Sequence, residues 1–216
     1  MSFDPKTYSS LDDLRAQRWY LAGSEELIAH CERRARLLKE FNELANTDRK
    51  RGDELLTQLL ATGSAVPEAI APLQMDYGIN TTFGAGCFLN FNTVILDVAE
   101  VTFGSRTLVG PNCQFITVGH PINDVEMRAG GWEQAHPITI GDDCWLGAGV
   151  TVLAGVSIGD RCVIGAGTLV TRDMPADSLV LGSPGRVVRM LNQGDDRLER
   201  EDLPAGAPVE GLNFGV

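Results

Sequence analysis

With 216 residues, the chain is long enough to bury a sizeable core, and its length suggests one domain with room for an appendage. Its formal net charge of −11 argues against non-specific binding to nucleic acid or to anionic membranes, because both require a basic surface. No apolar run reaches the ~18–20 residues of a membrane-spanning helix, and the opening stretch MSFDPKTYSS lacks the basic and apolar regions of a signal peptide.

The sequence pattern of residues 1–72 predicts an N-terminal helical segment. Ser10 and Asp13 have the spacing of a capping box, and Ser24 and Thr47 are the expected N-caps of two further helices. In the second helix, apolar residues recur at three, four or seven positions, as on one face of an amphipathic helix. The predicted helices span residues 11–22, 25–45 and 47–62.

Residues 73–190 are dominated by a repeat of six residues. An apolar residue occupies every sixth position in the clearest stretch: Ile140, Leu146, Val152, Ile158, Ile164 and Val170. Because a helix repeats every 3.6 residues and a strand every 2, a period of six fits short extended pieces joined by identical bends. Such hexapeptide repeats are typical of a parallel β-helix, in which each coil covers the core of the next. We therefore expect a mainly β protein built around a hexapeptide-repeat solenoid.

The repeat extends upstream in shorter runs and is then interrupted. The distance from Phe115 to Ile140 is one residue more than four repeats, so residues 117–137 are expected to leave the coil as an excursion loop. Long loops on a regular solenoid are usually functional, and insertions tend to gather on the binding face. After the coil, residues 191–216 form an acidic, loop-like tail in which we find no catalytic pattern.

Four of the five cysteines fall on the small inward position of the repeat: Cys87, Cys113, Cys144 and Cys162. A cysteine in that position behaves as a small apolar residue. The odd number and the lack of a CxxC pair argue against a disulfide framework and against zinc, so we expect no metal. This cysteine usage is typical of a reducing, cytoplasmic environment.

Only three histidines are available for chemistry. His30 lies in the second predicted helix, where a structural or solvent-facing role is expected, and His136 lies where the chain re-enters the coil. His120 lies in the excursion between Gly119 and Pro121, which restrict the backbone around it. A histidine fixed on a rigid turn beside a groove is a good general base, because imidazole titrates near neutral pH. His120 is therefore the main catalytic candidate.

Several short motifs follow one another along the chain: Asp76-Tyr77-Gly78, Asn90-Phe91-Asn92, Leu96-Asp97, Gly119-His120-Pro121, Pro137-Ile138-Thr139-Ile140-Gly141, Trp145-Leu146-Gly147 and Gly182-Ser183-Pro184-Gly185-Arg186. Their order and spacing resemble those of the maltose and galactoside O-acetyltransferases, over roughly residues 14–190. The resemblance implies a left-handed parallel β-helix, a handedness that the period alone does not reveal. It also implies transfer of acetyl from acetyl-CoA to a hydroxyl, by a homotrimer whose active sites lie between subunits.

The resemblance implies roles for individual residues. His120 matches the catalytic histidine, which removes the proton of the acceptor hydroxyl and later returns it to the departing thiolate. Asn90 matches a residue that contacts the acceptor or the developing oxyanion, and the alternative is a corner residue of the solenoid. Asp76 and Asp97 match polar positions of the acceptor pocket. The alternative for each is a carboxylate that accepts hydrogen bonds from a turn.

The cofactor side follows from the same resemblance. Ala148 and Ala166 are expected to line the pantetheine groove, where small side chains let the thin arm approach the backbone, with Trp145 packed beside it. The residues expected to face the nucleotide phosphates are Thr171, Arg172, Arg186 and Arg189. In a chain with a net charge of −11, three arginines near the end of the coil suit a local anion site. The alternative is solvated surface charge.

One departure from the family pattern concerns the acceptor. The sugar acetyltransferases place an aspartate of the N-terminal segment against the acceptor, whereas this chain has alanine, glycine and serine at 22–24. Glu25 or Glu26 is near enough in sequence to replace it. Trp132, in the excursion, is either a stacking surface for a sugar ring or a packing anchor. The acceptor therefore need not be maltose or a galactoside.

Other functions compete with this interpretation. The γ-class carbonic anhydrases share the coil but need three zinc-binding histidines, and His30 lies in a helix. Serine acetyltransferases carry a longer helical domain, and streptogramin acetyltransferases lack this N-terminal segment. A non-catalytic trimeric scaffold has no need of His120 and Asn90 at matching positions. The sequence thus predicts a cytoplasmic, acetyl-CoA-dependent O-acetyltransferase for a small hydroxylated acceptor, with no nucleic-acid or membrane partner.

Overall fold

The computed structural model describes residues 9–191, and within that range it contains four helices and nineteen strands. The helices are Leu11–Arg15 (α1), Glu25–Leu44 (α2), Arg49–Leu59 (α3) and Val125–Ala129 (α4). The strands are Tyr20–Leu21 (β1), Glu68–Ala69 (β2), Leu73–Met75 (β3), Thr81–Phe83 (β4), Phe88–Leu89 (β5), Thr93–Leu96 (β6), Val101–Phe103 (β7), Leu108–Val109 (β8), Gln114–Ile116 (β9), Val118–Gly119 (β10), Trp132–Ala135 (β11), Ile138–Ile140 (β12), Trp145–Leu146 (β13), Thr151–Leu153 (β14), Ser157–Ile158 (β15), Val163–Ile164 (β16), Leu169–Val170 (β17), Ser178–Leu181 (β18) and Arg186–Met190 (β19). Apart from Leu191, the predicted tail at 191–216 lies outside the described residues.

Short parallel strands stack into three sheets that form the walls of a solenoid. The first sheet has the order β3-β6-β9-β14-β17, the second β2-β5-β8-β13-β16-β18 and the third β4-β7-β12-β15. Each time the chain returns to a sheet, it adds a strand parallel to the one laid down a coil earlier. The predicted parallel β-helix is confirmed. Its first strand, β2, begins before the predicted domain boundary at residue 73.

Pairing in register places the apolar residue of each repeat above its counterpart in the next coil. Leu146, for example, pairs with Val109 on one side and with Ile164 on the other. The six apolar positions predicted between 140 and 170 are all 0–1% exposed. Burying a side chain of this size is worth about 1.5–3 kcal/mol. The column of apolar residues is therefore the main stabilising core of the coil.

The four cysteines predicted at the small inward position are buried. The Cys113 thiol donates to the carbonyl of Gly147 at 3.2 Å, and the Cys144 thiol donates to that of Gly159 at 3.2 Å. Burial raises the pKa of Cys113 to about 11. The Cys113 thiol is thus a neutral core group, because a cysteine becomes reactive only as the thiolate.

One corner of the solenoid is built from charged residues in the left-handed region of backbone conformation. Arg106, Asp143, Arg161 and Asp177 have φ between 56° and 59°, a conformation that costs an ordinary residue about 1–2 kcal/mol. Paired charges offset this cost. Arg106 donates to both oxygens of Asp143 at 2.6 and 2.7 Å, and Arg161 donates to both oxygens of Asp177 at 2.7 and 2.8 Å.

Helices α2 and α3 cover the N-terminal end of the solenoid, where the first coil has no preceding neighbour. An open strand edge would expose unpaired backbone groups. Asn42 accepts from the amide of Leu73 at 2.8 Å and donates to its carbonyl at 2.9 Å. One helical turn later, Asn46 pairs in the same way with Ala71, at 3.0 and 3.3 Å. The two side-chain amides thus replace a missing strand.

The predicted caps of the first two helices are confirmed. The Ser10 hydroxyl accepts from the amide of Asp13 at 3.2 Å, and the Asp13 carboxylate accepts from the amide of Ser10 at 3.2 Å. The Ser24 hydroxyl accepts from the amide of Leu27 at 3.2 Å at the start of α2. These bonds satisfy amides that have no partner within the helix.

The helical segment differs from the prediction at two points. Helix α1 ends at Arg15 and does not continue to residue 22, because Gln17 adopts a φ of 55° and turns the chain. The residues that follow form β1, which pairs with β11 of the excursion. Helix α3 is capped by the side chain of Asp48 and not by Thr47. Hydrophobic periodicity does not reveal either event.

We expect glycine to be tolerated better than alanine at Arg161. Both R161A and R161G remove the bidentate pair with Asp177, and an exposed pair is worth about 0.2–1 kcal/mol. Only glycine relieves the left-handed conformation. R161G should therefore exceed R161A in free energy of unfolding by about 1 kcal/mol, measured by chemical denaturation. Equal stability of the two variants would contradict the assignment of strain to this corner.

Candidate active site

The predicted excursion is an ordered element of the fold. Its strands β10 and β11 form a three-stranded antiparallel sheet with β1 of the N-terminal segment, in the order β1-β11-β10. Gly119 pairs with Gln134, and on the other side of β11 Tyr20 pairs with Glu133. His120 follows β10 directly. This small sheet therefore sets the position of the imidazole.

The His120 ring is held at one nitrogen and open at the other. Its Nδ1 lies 2.9 Å from the carbonyl oxygen of Trp132. Because a carbonyl oxygen only accepts, this hydrogen bond assigns the proton of the neutral ring to Nδ1. Nε2 then carries the lone pair, and the side chain is 51% exposed. A ring with this tautomer can remove a proton from a bound hydroxyl.

Glu133 lies on the Nε2 side of the ring. Its Oε1 is 3.6 Å from His120 Nε2, and its Oε2 accepts a hydrogen bond from the hydroxyl of Tyr20. Burial, together with the hydrogen bond to Glu133, raises the pKa of Tyr20 well above its ordinary value. The Tyr20 hydroxyl therefore keeps its proton near neutral pH and continues to donate to the carboxylate.

A groove of about 470 Å³ opens beside His120. This volume lies in the range of small-molecule sites, about 300–1,000 Å³. Apart from the histidine and its neighbours in the chain, the lining combines apolar and polar side chains: Trp19, Met127, Ala154, Asp124, Gln134 and His136. The mixture suits a ligand with both a flat apolar face and hydroxyl groups.

Gln17 ties the N-terminal segment to the polar side of this groove. Its carbonyl accepts from Gln134 Nε2 at 2.9 Å, and its Oε1 lies 2.9 Å from His136 Nδ1. The left-handed conformation that ends α1 at Gln17 makes both contacts possible. The N-terminal segment is therefore part of the candidate site.

Asp76 lies near Glu133 but is not among the described residues that line the groove. Burial raises the pKa of Asp76, while the charge of Arg34 lowers it and the charge of Glu133 raises it. The two carboxylates are therefore near enough to interact. Arg34 also donates from Nε to the carbonyl of Asp76 at 3.0 Å.

The prediction that Asp97 lines an acceptor pocket is wrong. Asp97 is 0% exposed. Its carboxylate accepts from the amide of Tyr77 at 2.9 Å, the amide of Asn80 at 3.3 Å and the hydroxyl of Thr81 at 3.0 Å. The structure gives Asp97 the alternative role of a turn carboxylate. Sequence alone does not separate a carboxylate that binds its own backbone from one that faces a ligand.

Asn90 lies at a corner of the solenoid, after β5. Its Oδ1 accepts from the amide of Phe91 at 2.8 Å, and its carbonyl accepts from the Thr93 hydroxyl at 2.7 Å. Asn90 does not line the described groove around His120 of the same chain. These contacts fit the corner alternative, and a contact with the acceptor requires the Asn90 of a neighbouring subunit.

The residues predicted for the pantetheine arm lie together at one corner. Ala148 and Ala166 are exposed and follow β13 and β16 in successive coils. The amide of Gly167 donates to the carbonyl of Ala148 at 2.8 Å, so the two alanines are stacked. Trp145, on β13, is 54% exposed. This corner joins the second sheet to the first. The excursion that carries His120 begins at another corner, between the first sheet and the third.

The residues predicted for the phosphates lie towards the C-terminal end of the solenoid. Arg186 and Arg189 are exposed on β19, which pairs with β18 and so extends the sheet that contains β13. Thr171 and Arg172 are exposed directly after β17. Trp145, Ala148, Ala166 and β19 thus lie on one side of the coil. Thr171 and Arg172 follow β17 at the corner between the first and third sheets, where the excursion that carries His120 also begins.

The N-terminal residue that lines the groove is not one of the candidates to replace the family aspartate. Ser24 caps α2 and Glu25 and Glu26 form its first turn, and none of them is among the described residues that line the groove. Trp19 lines it instead, whereas Trp132 contributes its carbonyl to His120. Sequence reasoning missed Trp19, Tyr20 and Glu133, because no repeat or motif marks the pairing of β1 with β11.

Two family models match the chain. One, described as the maltose acetyltransferase hexapeptide capping motif, matches residues 15–63, and the other, described as the hexapeptide repeat of succinyl-transferase, matches residues 137–172. The galactoside O-acetyltransferase of Escherichia coli is 36% identical over 173 residues, which cover 80% of this chain and 85% of that protein. The chain belongs to the maltose and galactoside O-acetyltransferase family. It is therefore an acyltransferase.

Solved structures of this family agree with the fold. A maltose O-acetyltransferase from Clostridium difficile superposes with a TM-score of 0.82 at 31% identity, covering 86% of this chain and 98% of that one. A hexapeptide-repeat acetyltransferase from Vibrio cholerae, complexed with acetyl coenzyme A, superposes with a TM-score of 0.76 at 33% identity, covering 85% and 99%. The superposition extends over both the helical segment and the coil.

Within residues 9–191, no group of three or more histidine, cysteine, aspartate or glutamate side chains is arranged to hold a metal ion. His120 and His136 line the groove, whereas His30 lies in α2. No helix in the described part of the chain is both long enough and apolar enough to cross a membrane.

Asp97 should make the stability of the fold depend on pH. Burial raises its pKa from 3.8 to about 6, so the folded state binds the proton more tightly than the unfolded chain. The stability that Asp97 contributes is then fully present below about pH 4 and is lost as the pH rises through about 6. Asn does not titrate, so the free energy of unfolding of the wild type minus that of D97N should fall by about 2 kcal/mol between pH 4 and pH 7. Urea denaturation at both pH values measures this, and a difference that does not change with pH contradicts it.

Proposed function

We propose that this family member is an acetyl-CoA-dependent O-acetyltransferase that acts on a hydroxyl of a sugar or a related small molecule in the cytoplasm, with His120 as the general base. The observation that carries the proposal is the His120 tautomer. Nδ1 is engaged by the Trp132 carbonyl, so the lone pair of Nε2 is available beside a groove of sugar size.

The reaction follows from that arrangement. Nε2 removes the proton of the acceptor hydroxyl as its oxygen attacks the thioester carbonyl, and a tetrahedral oxyanion forms. The carbon–sulfur bond then breaks, and the CoA thiolate takes the proton back from Nε2. General-base help of this kind is worth about 10²–10⁴ in rate. Holding both substrates in one groove supplies much of the remaining acceleration.

For the cofactor, the proposal draws on the stacked alanines and the exposed arginines. Acetyl-CoA is the ligand of the Vibrio cholerae structure named above, which covers 85% of this chain. Ala148 and Ala166 leave room for the pantetheine arm beside Trp145. The guanidinium groups of Arg186 and Arg189 suit the nucleotide phosphates, to which arginine donates in a fork.

The active site is proposed to form between subunits of a homotrimer. His120 and the stacked alanines lie at different corners of one solenoid, so a single chain does not bring the base and the thioester together. Packing one solenoid against the next places the base corner of one subunit against the cofactor corner of its neighbour. Asn90 of that neighbour is then the proposed contact for the acceptor or the oxyanion.

For the acceptor, we propose a ring with hydroxyl groups. Trp19 offers a stacking face at the groove, and Asp76 offers a carboxylate near Glu133. A carboxylate accepts two hydrogen bonds from neighbouring hydroxyls. The serine and alanine at 22–24 leave the position of the family aspartate without a carboxylate, so the groove selects its acceptor by other contacts.

His120→Ala should lower kcat by at least about 10²–10⁴, because the reaction loses its base. The measurement is release of free CoA thiol from acetyl-CoA with maltose, methyl β-galactoside, amino sugars and serine as acceptors. His30→Ala, on α2, is the matched control and should keep wild-type turnover.

The same assay separates the competing functions. Thiol release with amines and with no hydroxyl compound contradicts O-transfer. Wild-type turnover in H120A contradicts the general base. No thiol release with any acceptor supports the non-catalytic scaffold.

R186A and R189A should each raise the KM for acetyl-CoA about tenfold and leave kcat within about twofold, because a hydrogen bond to a charged phosphate contributes about 1.5–3 kcal/mol to binding. Acetyl-pantetheine, which lacks the nucleotide, should show the same KM with both variants and the wild type. R36A, at an exposed position of α2, is the control. An equal loss with both thioesters would show that the arginines do not bind the nucleotide.

A further inference from the structure

The strand β11 faces both nitrogens of the His120 ring. The carbonyl of Trp132 lies 2.9 Å from Nδ1, and the carboxylate of the next residue, Glu133, lies 3.6 Å from Nε2. Successive side chains of a strand point to opposite faces. The Glu133 side chain therefore points towards the ring, and from Trp132 it is the backbone carbonyl that reaches the ring. This strand therefore fixes the ring and places a negative charge beside its basic nitrogen.

We infer that Glu133, held by the Tyr20 hydroxyl, is a positioning residue that stabilises the protonated His120 ring during acetyl transfer. The inference rests on the proposed function, in which Nε2 takes a proton from the acceptor. No motif of the sequence pointed to Glu133 or Tyr20.

The separation of Glu133 and His120 suits this role. At 3.6 Å, Oε1 is too far from Nε2 for a hydrogen bond in the resting ring. The lone pair therefore stays available to the acceptor hydroxyl. When Nε2 takes the proton, the ring becomes a cation facing a carboxylate at close range, and an opposite charge at that distance favours the charged form of the ring.

Tyr20 keeps the carboxylate in place. Its hydroxyl donates to Glu133 Oε2, and the residue is 1% exposed. Tyr20 and Glu133 are directly opposed in the antiparallel pairing of β1 with β11. One carboxylate oxygen is thus occupied by Tyr20 and the other is left facing His120. Burial and Glu133 raise the pKa of Tyr20, so this donor does not lose its proton near neutral pH.

Other charged groups also surround the ring, and they remain unchanged when Glu133 is substituted. Asp124, at the start of α4, and His136, after β11, line the groove. Arg128 of α4 donates to the carbonyl of Pro121 at 2.7 Å. Asp76 interacts with Glu133 through its charge. A comparison of Glu133 variants therefore isolates one carboxylate.

Glu133→Gln tests the inference, because glutamine keeps the size of the side chain and can still accept from Tyr20. With acetyl-CoA and methyl β-galactoside or maltose, E133Q should lower kcat about 10–100-fold and leave the KM for acetyl-CoA within about twofold. E133D, which restores the charge, should recover part of the loss. E126Q, an exposed glutamate of α4, is the matched control and should match the wild type.

A second measurement does not depend on turnover. Nitrogen NMR of the imidazole should show the same Nδ1–H tautomer of His120 in E133Q and in the wild type, with signals assigned through H30Q and H136Q, because the Trp132 carbonyl still holds that nitrogen. Loss of this tautomer in E133Q would trace the fall in kcat to a displaced ring and overturn the inference. Y20F keeps the charge of Glu133 but removes the hydrogen bond that holds it, so its kcat should lie between those of E133Q and the wild type. If E133Q fails to fold in thermal unfolding, E133D and Y20F carry the test.

The outcomes separate the inference from the proposed function. An active wild type, an inactive H120A, and an E133Q variant that matches the wild type in kcat overturn the role of Glu133 alone. A wild type without turnover on any acceptor overturns the proposed function, and with it the inference that rests on it. A loss in E133Q that appears only in the KM for acetyl-CoA overturns the inference.

Discussion

Parallel hydrogen bonding between successive coils determines where every other part of this protein lies. Strands pair in register, so a buried residue has a buried counterpart one coil away, as Ile140 has in Ile158 and Leu146 in Ile164. A shift of one residue in the pairing register would turn every side chain of the strand to the opposite face. Segments that break the period therefore leave the wall at a corner, as the excursion at 117–137 does between β9 and β12. The repeat thus decides where the reactive part of the molecule can be attached.

The candidate site is built where the repeat stops and two remote segments meet. The excursion contributes His120 and strand β11, and the N-terminal segment contributes β1 with Trp19 and Tyr20. Strands β10 and β11 pair within the excursion, and β1 of the N-terminal segment adds the third strand. By pairing, they form a small antiparallel sheet that stands on the rigid solenoid and holds the ring of His120 through the Trp132 carbonyl. A rigid scaffold that carries a functional loop is a common way to fix catalytic geometry.

The coil could be predicted because an apolar residue recurs at every sixth position, and the predicted core residues are buried. His120 could be named because it is one of three histidines, lies in the interruption and matches a family motif. Tyr20 and Glu133 could not be found, since their contact joins residues 113 positions apart and no period links them. Asp97 was misassigned because a buried turn carboxylate and a ligand-binding carboxylate have the same sequence signature.

The asparagine pair on α2 has a consequence for the molecule as a whole. A stack of identical rungs has no intrinsic beginning, and its bare end is a template on which further strands can grow. Asn42 and Asn46 bind the backbone of Leu73 and Ala71 and so occupy the sites that another chain would use. The solenoid therefore has a defined first coil, and end-to-end polymerisation into fibrils is blocked at its N-terminal end.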